Sequence, residues 1–152
     1  MPPARIHRIA VAVKDLDAAV EFYSTMLGAT FERTGEAVSR ETGVAVAADW
    51  NLGLEIMSPV PGSDNPIAQK IERFLAESGE GICGAAYVVD DMAAAIQRAR
   101  DAGLDTLRAF SFTKDQLDAE FGGAFTRFEE TVLDSTERCG ATYGLVVLEN
   151  EQ

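Results

Sequence analysis

Histidine is nearly absent from this chain: His7 is the only one in 152 residues. A metal centre built on two histidines within one subunit is thereby excluded. Cysteine is almost as scarce. Cys83 and Cys139 are the only two and neither belongs to a CxxC pair, so they read as reduced cytosolic thiols rather than a disulfide framework. Positive charge is short as well, with 13 Lys and Arg against 25 Asp and Glu, a formal net charge of −12. Nucleic-acid backbones and anionic membrane surfaces reward clustered cations, so neither is an expected partner. Solubility is sufficient reason for the acidity. No apolar run approaches the roughly 20 residues of a membrane span, and MPPARIHRIAVAVKDL carries no signal-type apolar core before Asp15. The expectation is a soluble, cytoplasmic protein.

What is present is a repeat. The chain is 47% hydrophobic, enough for a real core, and too short for two ordinary domains. IAVAVKDLDAAVEFYSTMLG (Ile9–Gly28) lines up with AAYVVDDMAAAIQRARDAG (Ala85–Gly103). Val13 matches Val89, Asp15 matches Asp91, Leu16 matches Met92, Ala19 matches Ala95 and Val20 matches Ile96. Each copy opens on a β-rich run, Ile9–Val13 or Ala85–Val89, and passes through an acidic N-cap into a helix. Leu16, Ala19, Val20, Tyr23 and Leu27 make one apolar stripe at i, i+3, i+4, i+7 and i+11. Met92, Ala95, Ile96 and Ala99 make the second. Gly28 and Gly103 stand where a helix C′ glycine belongs.

Three strands are expected after each helix: about Ala29–Thr34, Val44–Ala48 and Leu52–Met57, then about Asp105–Phe110, Phe125–Leu133 and Tyr143–Glu149. Pro59–Pro66 is turn-rich and Ile67–Ser78 reads as an extra helix. The fold class is therefore α+β, two βαβββ modules in one domain spanning 1–152. Module 1 covers about 5–61, a linker helix 62–79 and module 2 about 81–149. Helices are expected on one face, with the other face curving around a cavity.

IAVAVKDLDAAVEFY, LEIMSP around Glu55, DNPIAQKIERFLAESGEGI (Asp64–Ile82) and VDDMAAAI from Val89 together resemble the vicinal-oxygen-chelate superfamily. That superfamily includes glyoxalase I, bleomycin-resistance proteins, extradiol dioxygenases and methylmalonyl-CoA epimerase. The likeness is greatest to methylmalonyl-CoA epimerases, spans about residues 5–104, and fades beyond Leu107, where AFSFTKDQLDAEFGGAF (Ala109–Phe125) departs from the epimerase pattern.

The resemblance implies four metal-ligand positions. They fall on Arg8, Glu55, Gly84 and Leu148, of which only Glu55 carries a ligating group. No metal or other cofactor is expected from such a set. A divalent ion would require an unusual one, His7, Cys83 and Glu149, each one residue from a family position, and a register slip that turns the strands over. Otherwise His7 reads as a surface or strand-end residue and Cys83 as a small buried hydrophobe.

Arg8 in a cavity-facing position binds carboxylate, or stabilises an oxygen that turns negative as a proton leaves the adjacent carbon; alternatively it forms an internal salt bridge with Glu55 or Glu149. Glu55 interrupts an apolar run. It faces either solvent or the cavity, and a partly buried glutamate there is a usable general base. Glu36, in GEAVSRETGV, resembles the epimerase segment carrying another acid near the substrate. Arg8, Gly84, Tyr87, Leu148 and Glu149 are the substrate-binding candidates, although tyrosines on strands are usually core. Phe110–Phe128 holds five of the eight phenylalanines and reads as an amphipathic helix or a lid over the cavity, or simply as a packed segment.

By resemblance the protein is a metal-independent isomerase, epimerase or lyase acting beside a carbonyl of a small carboxylate or acyl thioester, with a small-molecule partner and a homodimeric assembly. The alternative is a non-catalytic binding protein of the bleomycin-resistance type.

Overall fold

The structure, a computed structural model, describes residues 2–150. Module 1 comprises β1 (Arg5–Ala12), α1 (Leu16–Leu27), β2 (Glu32–Arg33), α2 (Glu36–Thr42), β3 (Val44–Asp49) and β4 (Leu54–Pro59). Helix α3 (Pro66–Ser78) follows. Module 2 comprises β5 (Gly81–Val88), α4 (Met92–Asp101), β6 (Thr106–Ser111), α5 (Lys114–Glu120), β7 (Phe125–Leu133), α6 (Thr136–Cys139) and β8 (Thr142–Asn150).

The strands form one sheet, in the order β2-β3-β4-β1-β5-β8-β7-β6, curled into a half-barrel. In each module the first strand pairs parallel with the last, β1 with β4 and β5 with β8. The modules join where β1 and β5 run antiparallel at the centre.

The repeated helices start and stop for the same reasons. Asp15 Oδ1 accepts from Ala18 N at 3.0 Å, and Asp91 Oδ1 accepts from Ala94 N at 3.0 Å. Each side chain satisfies a backbone donor that the first helical turn leaves unpaired. Gly28 and Gly103 then adopt φ of 67° and 88°, which ends each helix in a conformation costly for other residues. The apolar stripes cover the outer face of the sheet. Helix α1 packs through Ala19, Leu16, Val20 and Tyr23 on Val11, Leu54 and Ile56; α4 packs on Leu133, Leu145 and Val147. Leu27 departs from its stripe: it is 48% exposed, beyond the reach of the sheet.

Helices also enter the inner face, contrary to the expectation of one covered face. Alternation along β1 sends Val11 outward and Ala10 and Ala12 inward. On the inner side Ile67, Ile71 and Leu75 of α3 meet Val44 and Val46 of module 1 and Cys83, Phe110 and Val132 of module 2. Val38 of α2 and Leu117 of α5 enter a second inner cluster with Phe121, Phe125 and Phe128. The cavity is what remains between these helices and the curl of the sheet.

Two elements differ from the sequence expectation. Only Glu32–Arg33 of the expected strand 29–34 pairs as a strand. The following segment is helix α2, a seven-residue element closed by Gly43 at φ 80°. A Cβ on Gly43 would lie 2.7 Å from that of Asn65, so the glycine is required by close approach as well as by its dihedral. The phenylalanine-rich segment contains α5, opened by a capping box. Thr113 Oγ1 accepts from Gln116 N, and Gln116 Oε1 accepts from Thr113 N. No helix among the described residues is long and apolar enough to cross a membrane.

Candidate active site

At the floor of the cavity lies one guanidinium between two carboxyl groups. Arg8 is 4% exposed and Glu55 7%. Arg8 Nε donates to Glu55 Oε2 at 3.1 Å, and Nη2 donates to both oxygens of Glu130 at 3.0 and 2.8 Å. Nη1 lies 3.1 Å from His7 Nδ1. The guanidinium carbon sits 5.7 Å from the ring centroids of both Trp50 and Phe128, within cation–π range. All three guanidinium nitrogens are thus engaged. The internal salt bridge expected with Glu55 or Glu149 is formed, but its second partner is Glu130 of β7.

The register explains why Glu130 reaches this place. The repeat relates positions 76 residues apart, so Arg8 corresponds to Gly84 and Ala10 to Ala86. Ala10 pairs with Glu55 across β1 and β4, and Ala86 pairs with Gly144 across β5 and β8. The module 2 counterpart of Glu55 is therefore Gly144, not Leu148. A Cβ at Gly144 would stand 2.3 Å from Glu130 Oε1. The missing side chain leaves the space into which the neighbouring strand extends its carboxylate. At Gly84 an added Cβ would meet the Thr142 carbonyl oxygen at 2.1 Å, so this approach of β5 and β8 admits no side chain there.

Nor is the choice between Arg8 and His7 one of register alone. Pairing of β1 with β5 skips His7 between Ile6↔Tyr87 and Arg8↔Ala86, and skips Cys83 between Ala10↔Gly84 and Val11↔Ile82. These irregularities are β-bulges, which let consecutive side chains escape strict alternation. His7 is accordingly half-buried rather than a surface residue, stacked on Trp50 at 6.0 Å and edge-on to Phe125 at 6.2 Å. Burial, then the charges of Arg8 and Arg5, lower its pKa to about 4. At neutral pH it is an uncharged imidazole.

Burial favours the neutral form of Arg8, but the charges of Glu130 and Glu55 overcome it and keep the guanidinium ionised. Burial raises the pKa of Glu55; Arg8 opposes the shift and Glu130 adds to it. Cys83 is buried among apolar side chains and its thiol is pushed up to about 12, by burial first and by Glu55 second. It is not a nucleophile in waiting.

Two lobes open from this cluster. One runs over Arg8, Glu55 and Glu130 between walls that include Val46, Met57, Trp50 and Phe110, Phe112, Phe121 and Phe128. The other runs past Cys83, Gly84 and Tyr143. Trp50 Nε1 is the single buried side-chain nitrogen or oxygen without a hydrogen-bond partner among the described residues.

The remaining sequence candidates lie elsewhere. Glu36 is exposed and 3.6 Å from Arg40 on its own helix, because the segment expected to carry it toward the substrate is helical. Glu149 is exposed and 3.5 Å from Arg127. Leu148 pairs with Phe128 and packs beside the aromatic cluster. Tyr87 meets Tyr143 edge-on at 5.4 Å, outside both lobes. Glu130 went unnoticed in the sequence. Its signal was the TRFEETVL run, where alternation on β7 sends Phe128, Glu130 and Val132 to one face.

The residues do not fit a divalent cation. No three His, Cys, Asp or Glu side chains among the described residues gather as a ligand set. Both inner carboxylates already bind a guanidinium, itself a cation occupying the approach.

Two βαβββ modules curled around a cavity with its polar groups on β1, β4 and β7 define a paired-module protein whose site is assembled from both halves. The chain belongs to the glyoxalase/bleomycin resistance protein/dioxygenase superfamily, whose sequence model matches residues 7–120. It is 32% identical over 103 residues to the ethylmalonyl-CoA/methylmalonyl-CoA epimerase of Cereibacter sphaeroides, covering 68% of this chain and 74% of that one. It is 38% identical over 96 residues to the human mitochondrial methylmalonyl-CoA epimerase, covering 60% of this chain and 50% of the relative. The chain thus spans about half the length of the mammalian relatives it matches. Among solved structures, a Streptomyces coelicolor methylmalonyl-CoA epimerase variant in complex with 2-nitronate-propionyl-CoA superposes with a TM-score of 0.67 at 27% identity, over 96% of this chain and 98% of the other.

Proposed function

We propose that this protein is an epimerase-like isomerase that moves a proton on and off the carbon beside a carbonyl, with Arg8 in place of a metal ion. The observation that carries this reading is the Arg8 guanidinium held against Glu55 and Glu130 at the floor of a cavity. Neighbouring carboxyl groups disfavour double ionisation and a shared cation favours it, so such a pair can pass a proton between its members. Burial raises the pKa of Glu55, and on this reading Glu55 is assigned the proton-donating role and Glu130 the proton-accepting one.

Glu130 takes the proton as the C–H bond breaks. The electron pair moves into the carbonyl, and Glu55 returns a proton to carbon. The pair then exchanges roles. The guanidinium offsets the charge developing on the carbonyl oxygen in a dry, fixed setting, where such compensation counts most. The relatives, epimerases of acyl-CoA thioesters by name, support the reaction class, and the ligand present in the Streptomyces complex supports a small-molecule substrate.

The test is deuterium incorporation at the alpha carbon of 2-substituted acyl thioesters in D2O. Exchange is expected above background, falling by about a hundredfold or more in E55Q and in E130Q, and persisting after exhaustive chelation. Exchange that is absent from the wild-type protein, or indifferent to both substitutions, overturns the proposal; exchange abolished by chelation and restored by a divalent ion overturns the role given to Arg8.

A further inference from the structure

We infer that the group this cavity takes beside the reacting carbonyl is apolar and uncharged, an aryl or branched alkyl substituent, and that a carboxylate there is rejected. The inference rests on the proton-transfer reading above and names its substrate class. Its basis is the balance of charge at the floor. Among the described residues Arg8 is the only cation lining either lobe, and its nitrogens are engaged by Glu55, Glu130 and His7. One positive charge faces two carboxyl groups and a neutral imidazole, which leaves no surplus positive charge for an anion. A carboxylate entering the cavity would lose its hydration and meet like charge, with no free guanidinium to bind it.

The walls point the same way. Trp50, Phe110, Phe112, Phe121 and Phe128 line the first lobe, and four of these rings lie within 6.0 Å of a neighbour in the set. Thr34 and Thr42 are the hydroxyl groups on the lining, and both are used locally. Thr34 Oγ1 accepts from Val46 N and is 3.4 Å from Val46 O; Thr42 Oγ1 donates to Val38 O at 2.9 Å. An apolar group entering between the rings gains burial and aromatic contact, and among the buried side-chain donors of the described residues leaves only Trp50 Nε1 without a partner.

Trp50 is the only tryptophan in the chain and forms part of that wall, so its fluorescence reports occupancy directly. The probes are ethyl 2-phenylpropanoate and monoethyl phenylmalonate, which differ by a methyl group in place of a carboxylate. Titrations of the wild-type protein at pH 7.5 are expected to show the uncharged ester binding about tenfold or more tightly. In E130Q, which removes one negative charge from the floor, the carboxylate-bearing ester is expected to recover most of that gap while the uncharged ester changes little. Equal or tighter binding of the carboxylate-bearing ester, no binding of either, or a gap that E130Q leaves untouched overturns the inference. Binding preference and deuterium exchange are separate readings. A protein that prefers the uncharged ester yet exchanges no proton refutes the catalytic proposal alone, whereas exchange with the opposite preference refutes the substrate class alone.

Discussion

At the scale of single residues, the site is decided by what two glycines leave out as much as by what three charged groups supply. Gly144 makes room for Glu130, whose two oxygens then grip Arg8. Replacing Gly144 by Ala pushes the Glu130 carboxylate off the guanidinium while its flexible side chain absorbs the clash. Exchange activity should fall about tenfold or more, with a stability loss of about 1–3 kcal/mol from the broken charged hydrogen bonds; chemical denaturation and the exchange assay, run on the same preparation, check both. His7 gives a pH signature. Its pKa is 6.5 in the unfolded chain and about 4 in the folded one, so the unfolded state binds more protons between these values. The stability His7 contributes is therefore complete above pH 6.5 and is lost as pH falls through about 4. The melting temperature of H7Q, subtracted from that of the wild-type protein at each pH, should give a positive difference that shrinks across this window. A difference independent of pH would contradict the assignment. Arg8 was legible as a candidate because the family resemblance places a ligand position on it, and Glu55 because it also interrupts an apolar run; Glu130 was not, because its partners lie 122 and 75 residues away.

Between residues and the whole, the elements are held in place by caps that also bridge. Asn65 is buried; its Oδ1 accepts from Ile67 N at the start of α3, and its Nδ2 donates to Glu41 O at the end of α2. One side chain thus caps two helices that both line the cavity. Asn65→Ala should cost about 2 kcal/mol, a cap plus a buried carbonyl left unpaired, with faster hydrogen exchange in residues 36–43 and 66–70 as the local reading. Helix α5 is tied in similarly, since Gly35 N donates to Glu120 Oε2 at 2.8 Å. The long repeated helices α1, α3 and α4 were readable from periodicity and caps. The short α2 was not: seven residues present barely two turns, too few for a periodic stripe; α5, equally short, was open only as one alternative for the phenylalanine-rich segment, without bounds.

For the molecule as a whole, the inner core has no seam at the module boundary. Ala10, Val44 and Val46 share one cluster with Ile67, Ile71 and Leu75 of α3 and with Cys83, Phe110 and Val132. Unfolding either module exposes apolar surface on the other. Thermal unfolding followed by far-ultraviolet dichroism and by Trp50 fluorescence should therefore give coincident, single transitions, although the sequence reads as a duplication; two separated transitions would refute this coupling. The sequence alone determined the repeat, the helical caps and the family, because these are local patterns or matches along the chain. It also limited histidine chemistry to one side chain. Only the tertiary structure decided that Glu130 completes the charged cluster, that bulges at His7 and Cys83 replace a choice of register, and that Gly144 mirrors Glu55. These facts depend on how strands β1, β4, β7 and β8 lie beside one another, and that alignment is set by the curl of the sheet and the helices packed inside it.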